Sequence, residues 1–369
     1  MKKVTIKSIA SDLGLSRNTV AMALKGDKRV AESTRFNVIN YAASVGFNVS
    51  VARPAASTQQ KHILLVRRPG WTAYWDRVVG GISQAAAERN YVMNITVVTQ
   101  EDINALRLPN GYDDDISGIF FLHKFGEKYN KLLLHDNKIG IFLDRSGYND
   151  PSPLLGDVIK TEGSRSVMAL TTSLIKQGLT KIAYFCPYVI GAETFDDRFY
   201  GYTRALIDNN IPINPKFIVE HSDTQDKQKA LEDGLWQFLP DNADRSLSLR
   251  DALALYKDQL PEAIICANDN SCFKVSKLLQ DAGIKIPEDI AITGYDNDEY
   301  DAFVPFFTTV ESNAFNLGRR MVEQFSWRCR HRNNTFETIT LECKPIYRRS
   351  SQKIVIDSNF PLGPTLEKR

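Results

Sequence analysis

Apolar residues recur every three to four positions through the first 45 residues, then gather into short continuous runs after residue 61, so two kinds of structure are expected in series. Ile6, Ile9, Ala10 and Leu13 share one face of a first helix, and Gly14 breaks it. Ser16 stands where an N-cap belongs; the helix it opens turns Val20, Ala23 and Leu24 inward until Gly26 ends it. A third helix is expected from Glu32 to Ser44, with Phe36, Ile39 and Ala43 on its inner face. The first two, joined by a tight turn, have the pattern of a helix-turn-helix.

Beyond Lys61 the texture changes. Strand-like runs occupy 62–66, 92–98, 117–122, 139–143, 181–185, 216–220, 263–267 and 289–294, and amphipathic segments such as Asp76 to Arg89, Gly163 to Gln177, Arg198 to Asn209 and Asn270 to Ala282 lie between them. Alternating β and α units predict parallel sheets covered by helices on both faces. Eight strands exceed one compact unit of this kind, so two sheets in succession are expected, with a crevice at the carboxyl ends of their strands as the binding site.

Charge divides the chain at the same place. Residues 1–60 hold nine Lys and Arg against three acids, a surplus of six, whereas the whole chain carries only +2 and the remaining 309 residues therefore −4. A basic head on a mildly acidic body fits a head that meets phosphates. In a helix-turn-helix the second helix enters the DNA major groove with its first residues against base edges, which makes Arg17 and Asn18 the expected readers, Arg suiting guanine and Asn adenine.

With 369 residues and 43% hydrophobic content the chain can bury a large core in two or three domains. The start MKKVTIKSIASDLG lacks an apolar run of signal-peptide length, and no segment approaches the roughly 18 apolar residues of a membrane helix. A cytoplasmic protein with no membrane partner is expected. Cys186, Cys266, Cys272, Cys329 and Cys343 are odd in number and lack CxxC spacing, which reads as reduced thiols.

The head VTIKSIASDLGLSRNTVAMALKGDKRVAESTR, followed in order by DDRFYGY (196–202), AIICANDNSC (263–272), GIKIPEDIAITGYDN (283–297) and PFFTTV (305–310), resembles the lactose-repressor/galactose-repressor (LacI/GalR) family of transcriptional regulators from about residue 3 to 350. The resemblance implies an α/β protein in which a three-helix helix-turn-helix head precedes a periplasmic-binding-protein-like body of two α/β subdomains with parallel sheets. The expected divisions are 1–49 for the head, 50–60 for a hinge and 61–350 for effector binding and dimerisation, with 351–369 as a tail. Within the body the subdomains are expected at 61–174 with 311–341, and at 175–310 with 342–350.

The implied partners are a near-palindromic double-stranded operator, a small-molecule effector of carbohydrate type in the cleft, and a second copy of the chain; no cofactor and no metal are implied. On the DNA side the expected residues are Thr5, Ser16, Arg17, Asn18, Thr19, Met22, Lys28 and Arg29, with Arg53 and Ala56 from the hinge. The family's cleft arginine, amide and acid correspond to Arg198, Asn268 and Asp296, and Glu162 aligns with another cleft acid. A guanidinium fork, an amide and a carboxylate together suit a ring rich in hydroxyls. Trp71, Tyr74 and Trp75, in the loop after the first body strand, offer flat faces for stacking. The structural alternative makes Asn268 and Asp296 strand-end caps and ties Arg198 to Asp196 or Asp197.

Two departures stand out. Ala21 and Met22 replace the family's usual Ser and Arg, which implies an altered operator. In the hinge, Ala56 is too small to wedge a base step and Pro54 interrupts a helix opened at Ser50, so weaker DNA bending, or an extended hinge touching phosphates through Arg53, is expected. The chain is also longer than the family pattern before the strand at 263, where Leu247, Leu249, Ala252, Leu253 and Leu255 predict an extra surface helix.

Enzymatic readings fail on the motifs: there is no HExxH, GxSxG or phosphate-binding Walker loop, and the five histidines are scattered. The acidic run from Asp296 to Asp301 lacks the glycine and glutamate of a calcium loop. Two regulatory alternatives stay open, a repressor controlled by a protein partner with a ligand-insensitive cleft and, more remotely, a solute-binding protein.

Overall fold

The computed structural model describes residues 5–24, 27, 29–31, 34–35, 37–38, 41–42, 45, 60–70, 72–146, 148, 150–187, 192–220, 226–298 and 306–353. The chain separates into two compact units, residues 1–60 and 61–369.

In the first unit, α1 (Ile6–Asp12) starts at a capping box: Ser8 N–H donates to Thr5 Oγ1 at 3.3 Å, and Thr5 N–H to Ser8 Oγ at 3.0 Å. The turn passes through Gly14 at φ +62°, a conformation glycine adopts without strain. Ser16 then caps α2 (Arg17–Leu24), its Oγ accepting from Thr19 N–H at 3.0 Å. Ile9, Ala10, Val20, Ala23 and Leu24 are buried together as the apolar spacing predicts. Helical residues follow at 34–35, 37–38 and 41–42, of which Val38 and Ala42 complete this core. Phe36, Ile39 and Ala43, expected there, lie outside the described residues. So do Arg53, Pro54 and Ala56 of the expected hinge.

The second unit alternates strands and helices: β1 (His62–Arg67), α3 (Ala73–Glu88), β2 (Val92–Val97), α4 (Gln100–Asn104), β3 (Ile116–Phe121), α5 (Glu127–Leu133), β4 (Ile139–Leu143), β5 (Asp157–Thr161), α6 (Ser164–Ile175), β6 (Ile182–Cys186), α7 (Glu193–Asp208), β7 (Ile218–Glu220), α8 (Lys227–Gln237), α9 (Leu249–Leu255), β8 (Ala263–Cys266), α10 (Asp269–Asp281), β9 (Ala291–Thr293), β10 (Thr309–Glu311), α11 (Ala314–Arg328), β11 (Thr338–Leu341) and β12 (Lys344–Ile346). They build a six-stranded sheet in the order β11-β5-β4-β3-β1-β2 and a four-stranded sheet in the order β7-β6-β8-β9, both parallel throughout. A short antiparallel pair, β10 with β12, links them.

Each sheet is covered on both faces. In the first, Ile63, Leu65, Phe120 and Ile141 pack under α3 and α11, while Leu64, Phe121 and Phe142 face Phe125, Tyr129 and Leu133. In the second, Tyr184 and Ile265 meet α6 and α7, and Phe185 and Ile264 meet α8 and α10. The expected subdomain boundary at 174 moves as a consequence. Val167, Leu170 and Leu174 bury α6 against Tyr184 and Tyr202 of the second half, so the chain crosses between residues 161 and 164. It crosses again between β9 and α11, and a third time between β11 and β12. Helix α9 matches the extra helix expected near 249–255, with Ala252 and Leu253 buried and Leu255 outward.

Helices α3 and α11 cross at glycines. A Cβ on Gly318 would lie 2.0 Å from the Val78 carbonyl oxygen, and one on Gly81 1.9 Å from that of Phe315. Neither backbone can yield without parting the helices. Gly318→Val is therefore expected to cost at least about 3 kcal/mol through overpacking and strain, read as a lowered urea midpoint.

One strand absent from the sequence pattern is β5, DVIKT, which is buried at every position despite its Asp and Lys. Asp157 is met from α11: Arg328 donates through Nε to Oδ2 at 2.8 Å and through Nη2 to Oδ1, and Gln324 Nε2 donates to Oδ2 at 2.8 Å. The remaining Arg328 N–H groups donate to the carbonyls of His331, Asn334 and Thr335 at 3.1, 2.6 and 2.9 Å. Glu337 N–H closes the ring on Asp157 Oδ1 at 2.9 Å. The end of α11 and the start of β11 are thereby fastened to β5.

Candidate functional site

In the head, Arg17 and Asn18 open α2 and are exposed, free to meet a partner at its amino end. Thr5 and Ser16 spend their hydroxyls on capping, and Thr19 Oγ1 sits 2.8 Å from Ser16 Oγ. Met22 is half-buried against the head core. Arg29 lies outward and grips the half-buried Asp27 with two N–H groups, Nε at 3.1 Å and Nη2 at 2.7 Å, which holds the Asp27 carboxyl down to about 2. Lys28 is outside the described residues.

In the body, parallel strands from both sheets end around one cleft, and the loops that follow them bring its side chains together. Tyr74 and Trp75 arrive in the first turn of α3, His123 follows β3, Asp144 follows β4, Arg198 lies in α7, Asn268 follows β8, and Tyr295 and Asp296 follow β9. Trp71, expected to stack here, lies outside the described residues.

Arg198 is almost fully buried. Its Nη1 donates to the Ala267 carbonyl at 2.5 Å and its Nη2 lies 3.8 Å from Asp296 Oδ1. Aromatic faces flank the guanidinium, the Tyr295 centroid at 3.6 Å and that of Phe195 at 4.4 Å. Arg198 Nε and Asp296 Oδ1 are among the buried side-chain atoms that lack a hydrogen-bond partner among the described residues, as is Arg77 Nε of the adjoining α3. Orphaned buried polar groups of this kind are costly in a folded protein. Asp296 also has φ +109°, an unfavourable backbone for a residue with a Cβ, held by its N–H to the Val310 carbonyl at 3.0 Å and by Arg77 Nη2 on its own carbonyl at 2.6 Å. Burial pushes its carboxyl well above the usual carboxylate range, with Arg198 pulling in the opposite direction.

The other walls are apolar and largely uncharged. Tyr74 meets Trp75 edge-on at 5.0 Å, and burial, helped by Asp296, keeps its hydroxyl protonated. Trp75 lies 4.4 Å from the His123 ring at 31°. Burial, reinforced by Arg68 and Arg67, lowers His123 to about 4, so that imidazole is neutral near pH 7.

Sequence-matched residues differ in what they leave free. Asn268 caps α10, its Oδ1 accepting from Ser271 N–H at 2.8 Å. Glu162 serves the start of α6, accepting from Ser164 Oγ at 2.9 Å and from the N–H groups of Arg165 and Ser166 at 2.6 and 3.2 Å. Arg198 turns to Asp296, while Asp196 and Asp197 face elsewhere. Asp197 accepts from Lys160 Nζ at 2.7 Å and from Tyr148 OH at 2.6 Å, and Asp196 from Tyr148 N–H at 2.9 Å.

Those last bonds belong to a clasp that joins the two halves beside the cleft. Lys160 Nζ also donates to Glu193 at 2.5 Å, Glu193 N–H donates to the Arg145 carbonyl at 3.1 Å, and Thr194 Oγ1 bonds Asp144. A second clasp is Arg77, which reaches from α3 to Asp298 Oδ1 at 2.5 Å as well as to the Asp296 carbonyl. Asp144, Lys160, Arg77 and Tyr295 were not singled out from the sequence. Asp144 carried a signal, an acid immediately after the strand IGIFL, where strand-end ligands sit in such sheets.

A family model described as a periplasmic binding protein-like domain matches residues 171–351. The transcriptional repressor PurR of Mannheimia succiniciproducens is 23% identical over 355 residues, covering 95% of this chain and 99% of that protein. PurR of Vibrio vulnificus is 24% identical over 362 residues, with the same coverage. Among solved structures, the transcriptional regulator CelR in complex with cellobiose aligns with a TM-score of 0.61 at 18% identity, over 94% of this chain and all of that one. The lac repressor dimer bound to operator and the anti-inducer ONPF aligns at 0.62 and 18%, over 95% and 99%. Head and body thus match in one register from end to end. Over nearly its whole length the chain is similar to transcriptional regulators of the LacI/GalR kind, and residues 171–351 match a periplasmic binding protein-like domain.

The floor of the cleft has a titratable support. Asp269 accepts from Thr309 Oγ1 at 2.8 Å and from Asp298 N–H at 2.9 Å, and burial raises it from 3.8 to about 6. A raised carboxyl favours the protonated fold, so its contribution to stability is full below about 3.8 and is lost as the pH rises through about 6. Urea unfolding between these values should show the parent losing stability relative to Asp269→Asn as the pH rises. A constant difference between the two proteins would count against this. No described helix is long and apolar enough to cross a membrane.

Proposed function

We propose that this chain is a sequence-specific DNA-binding repressor, with no enzymatic role, whose operator affinity is switched by a sugar or sugar derivative bound in the cleft. One observation carries the reading: Arg198 Nε and Asp296 Oδ1, a donor and an acceptor, are buried without hydrogen-bond partners among the described residues, on side chains that meet only through an ion pair of 3.8 Å. A hydroxyl group satisfies both requirements, accepting from the guanidinium and donating to the carboxylate. The flat faces of Tyr74 and Trp75 suit a sugar ring. Cellobiose and ribose, bound in two of the structural relatives, agree in kind.

The mechanism is a two-state switch. A homodimer presents two heads to half-sites of a near-palindromic operator, and the angle between the body's halves sets their separation. The Lys160 and Arg77 clasps are the bonds such a rotation strains. The β2 edge, with Ile95 and Val97 exposed beside Leu106 and Leu108, supports pairing with a second copy. Linkage makes the effect reciprocal, with a coupling of about 1–3 kcal/mol.

Arg17 and Asn18 are the base readers in this reading. Arg17→Ala and Asn18→Ala should each weaken operator binding by about 1–3 kcal/mol and relax specificity at one base position, whereas Arg29→Ala should weaken all sequences alike and reduce the salt slope. Selection of bound DNA fragments with and without candidate sugars tests the whole reading. Enrichment of one palindrome that a sugar alters supports it, and no enriched sequence would sink it. Control by a docked protein partner is the competing reading, favoured by clasps that close the cleft with the chain's own groups. Trp75 fluorescence separates the two, since a cleft ligand quenches it directly.

A further inference from the structure

Helix α2 presents two kinds of surface away from the head core. Val20, Ala23 and Leu24 are buried, and with about 3.6 residues per turn the side facing away from them carries Arg17 and Asn18 in the first turn and Ala21 and Met22 in the second. Arg17 and Asn18 are exposed, whereas Ala21 and Met22 are half-buried, Met22 resting against the apolar cluster of the head. The backbone there is fixed, since the Met22 carbonyl accepts from Asp27 N–H at 3.0 Å. The side chains of the second turn thus offer a groove no strong donor or acceptor. A thioether is a weak acceptor at best, and an alanine methyl is neither.

Such a surface can still tell bases apart. Base pairs differ in the major groove by the placement of N–H donors and of acceptors and by one apolar group, the C5-methyl of thymine. Asn18 and Met22 are four residues apart and lie on one face, about 6 Å apart along the axis, close to two base-pair steps of about 3.4 Å. Methionine's unbranched, polarizable chain adapts to a methyl group. Duplex DNA is the occupant because Arg17 and Asn18 border the patch and residues 1–60 carry nine Lys and Arg against three acids.

We propose that Met22, with Ala21 beside it, reads the C5-methyl group of a thymine in each operator half-site, about two base pairs from the base that Asn18 contacts. The proposal rests on the operator-binding reading above and adds to it the identity of a base and of the group recognised on it. A helix turn that reads by methyl contact accepts any pyrimidine methylated at C5, so 5-methylcytosine should serve where cytosine does not.

The full-length protein is first used to select an operator from random duplexes, and each thymine of the enriched half-site is then exchanged singly for deoxyuridine, which lacks only the methyl. Fluorescence anisotropy of the labelled duplex gives the affinity. One position per half-site should lose about three- to tenfold on exchange, and 5-methylcytosine at that position should bind tighter than cytosine by a similar factor. The exchange is made in the DNA, so it probes the contact in the unaltered protein. Met22→Ala should bind thymine and deoxyuridine alike there, while keeping the preference at the position Asn18 contacts. Equal binding of thymine and deoxyuridine at every position, or a penalty that Met22→Ala leaves intact, would overturn the proposal. An enriched palindrome indifferent to the methyl removes this proposal alone, whereas absence of any enriched sequence removes the operator reading and this proposal with it.

Discussion

Arg328→Met is expected to destabilise the body by about 3–5 kcal/mol, more than any single surface charge could. Both members of the pair are essentially inaccessible, Asp157 at 0% and Arg328 at 2% exposure, so solvent cannot replace the lost partner. Removing the guanidinium leaves the Asp157 carboxylate with only Gln324 Nε2 and the Glu337 N–H, and orphans the carbonyls of His331, Asn334 and Thr335. The compensating variant Asp157→Leu with Arg328→Met removes the stranded charge but restores none of those carbonyls. It should recover part of the loss and no more. Urea unfolding of the parent, both single variants and the double gives the cycle directly. A loss below about 1 kcal/mol in Arg328→Met would contradict the account.

Asp296→Asn is expected to lower effector affinity by about 1.5–3 kcal/mol, roughly 10- to 150-fold, while leaving operator binding in the absence of effector unchanged. The substitution keeps the shape and tolerates φ +109° better than most residues, so the fold should survive. What it removes is the carboxyl group beside Arg198. Arg198→Met should abolish the response altogether, because the guanidinium also anchors the Ala267 carbonyl and fills the space between Tyr295 and Phe195. Arg198→Lys is not a conservative replacement here, since an ammonium offers neither the planar fork nor the stacked face. Titration of the selected sugar, followed by Trp75 fluorescence and by operator release, measures both effects. An unaltered sugar response in Asp296→Asn would remove this carboxylate from the site.

Much of the site was legible because local rules and tertiary placement agree. Ser16 caps and Val20, Ala23 and Leu24 bury as spacing requires, and Arg17 and Asn18 are left outward at the start of α2. Arg198 and Asp296 were named together from motifs almost a hundred residues apart, and the two do meet. Asn268 and Glu162 were named with them, yet the oxygens described above are committed to helix starts. A residue's type at a strand end does not say whether a nearby N–H has already claimed it. Trp75 is similar: its ring stacks on His123, a partner from another loop that no sequence spacing reveals.

The sequence by itself determined the helical head, its basic charge, the βα alternation of the body and the carboxyl-end location of the cleft, because periodicity, capping and charge are local properties. Tertiary structure alone decided the rest. DVIKT reads as too polar for a buried strand until Arg328 arrives from α11 and Glu193 and Asp197 arrive from α7 to neutralise Asp157 and Lys160. Helix α6 joins the second half because its apolar face fits Tyr184 and Tyr202, which sequence order does not foretell. Arg198 pairs with Asp296, while Asp197 is held by Lys160 and Tyr148 and Asp196 by the Tyr148 N–H. Burial and partner choice are set by neighbours distant in the chain, and a charge's energy depends on those neighbours far more than on its own identity.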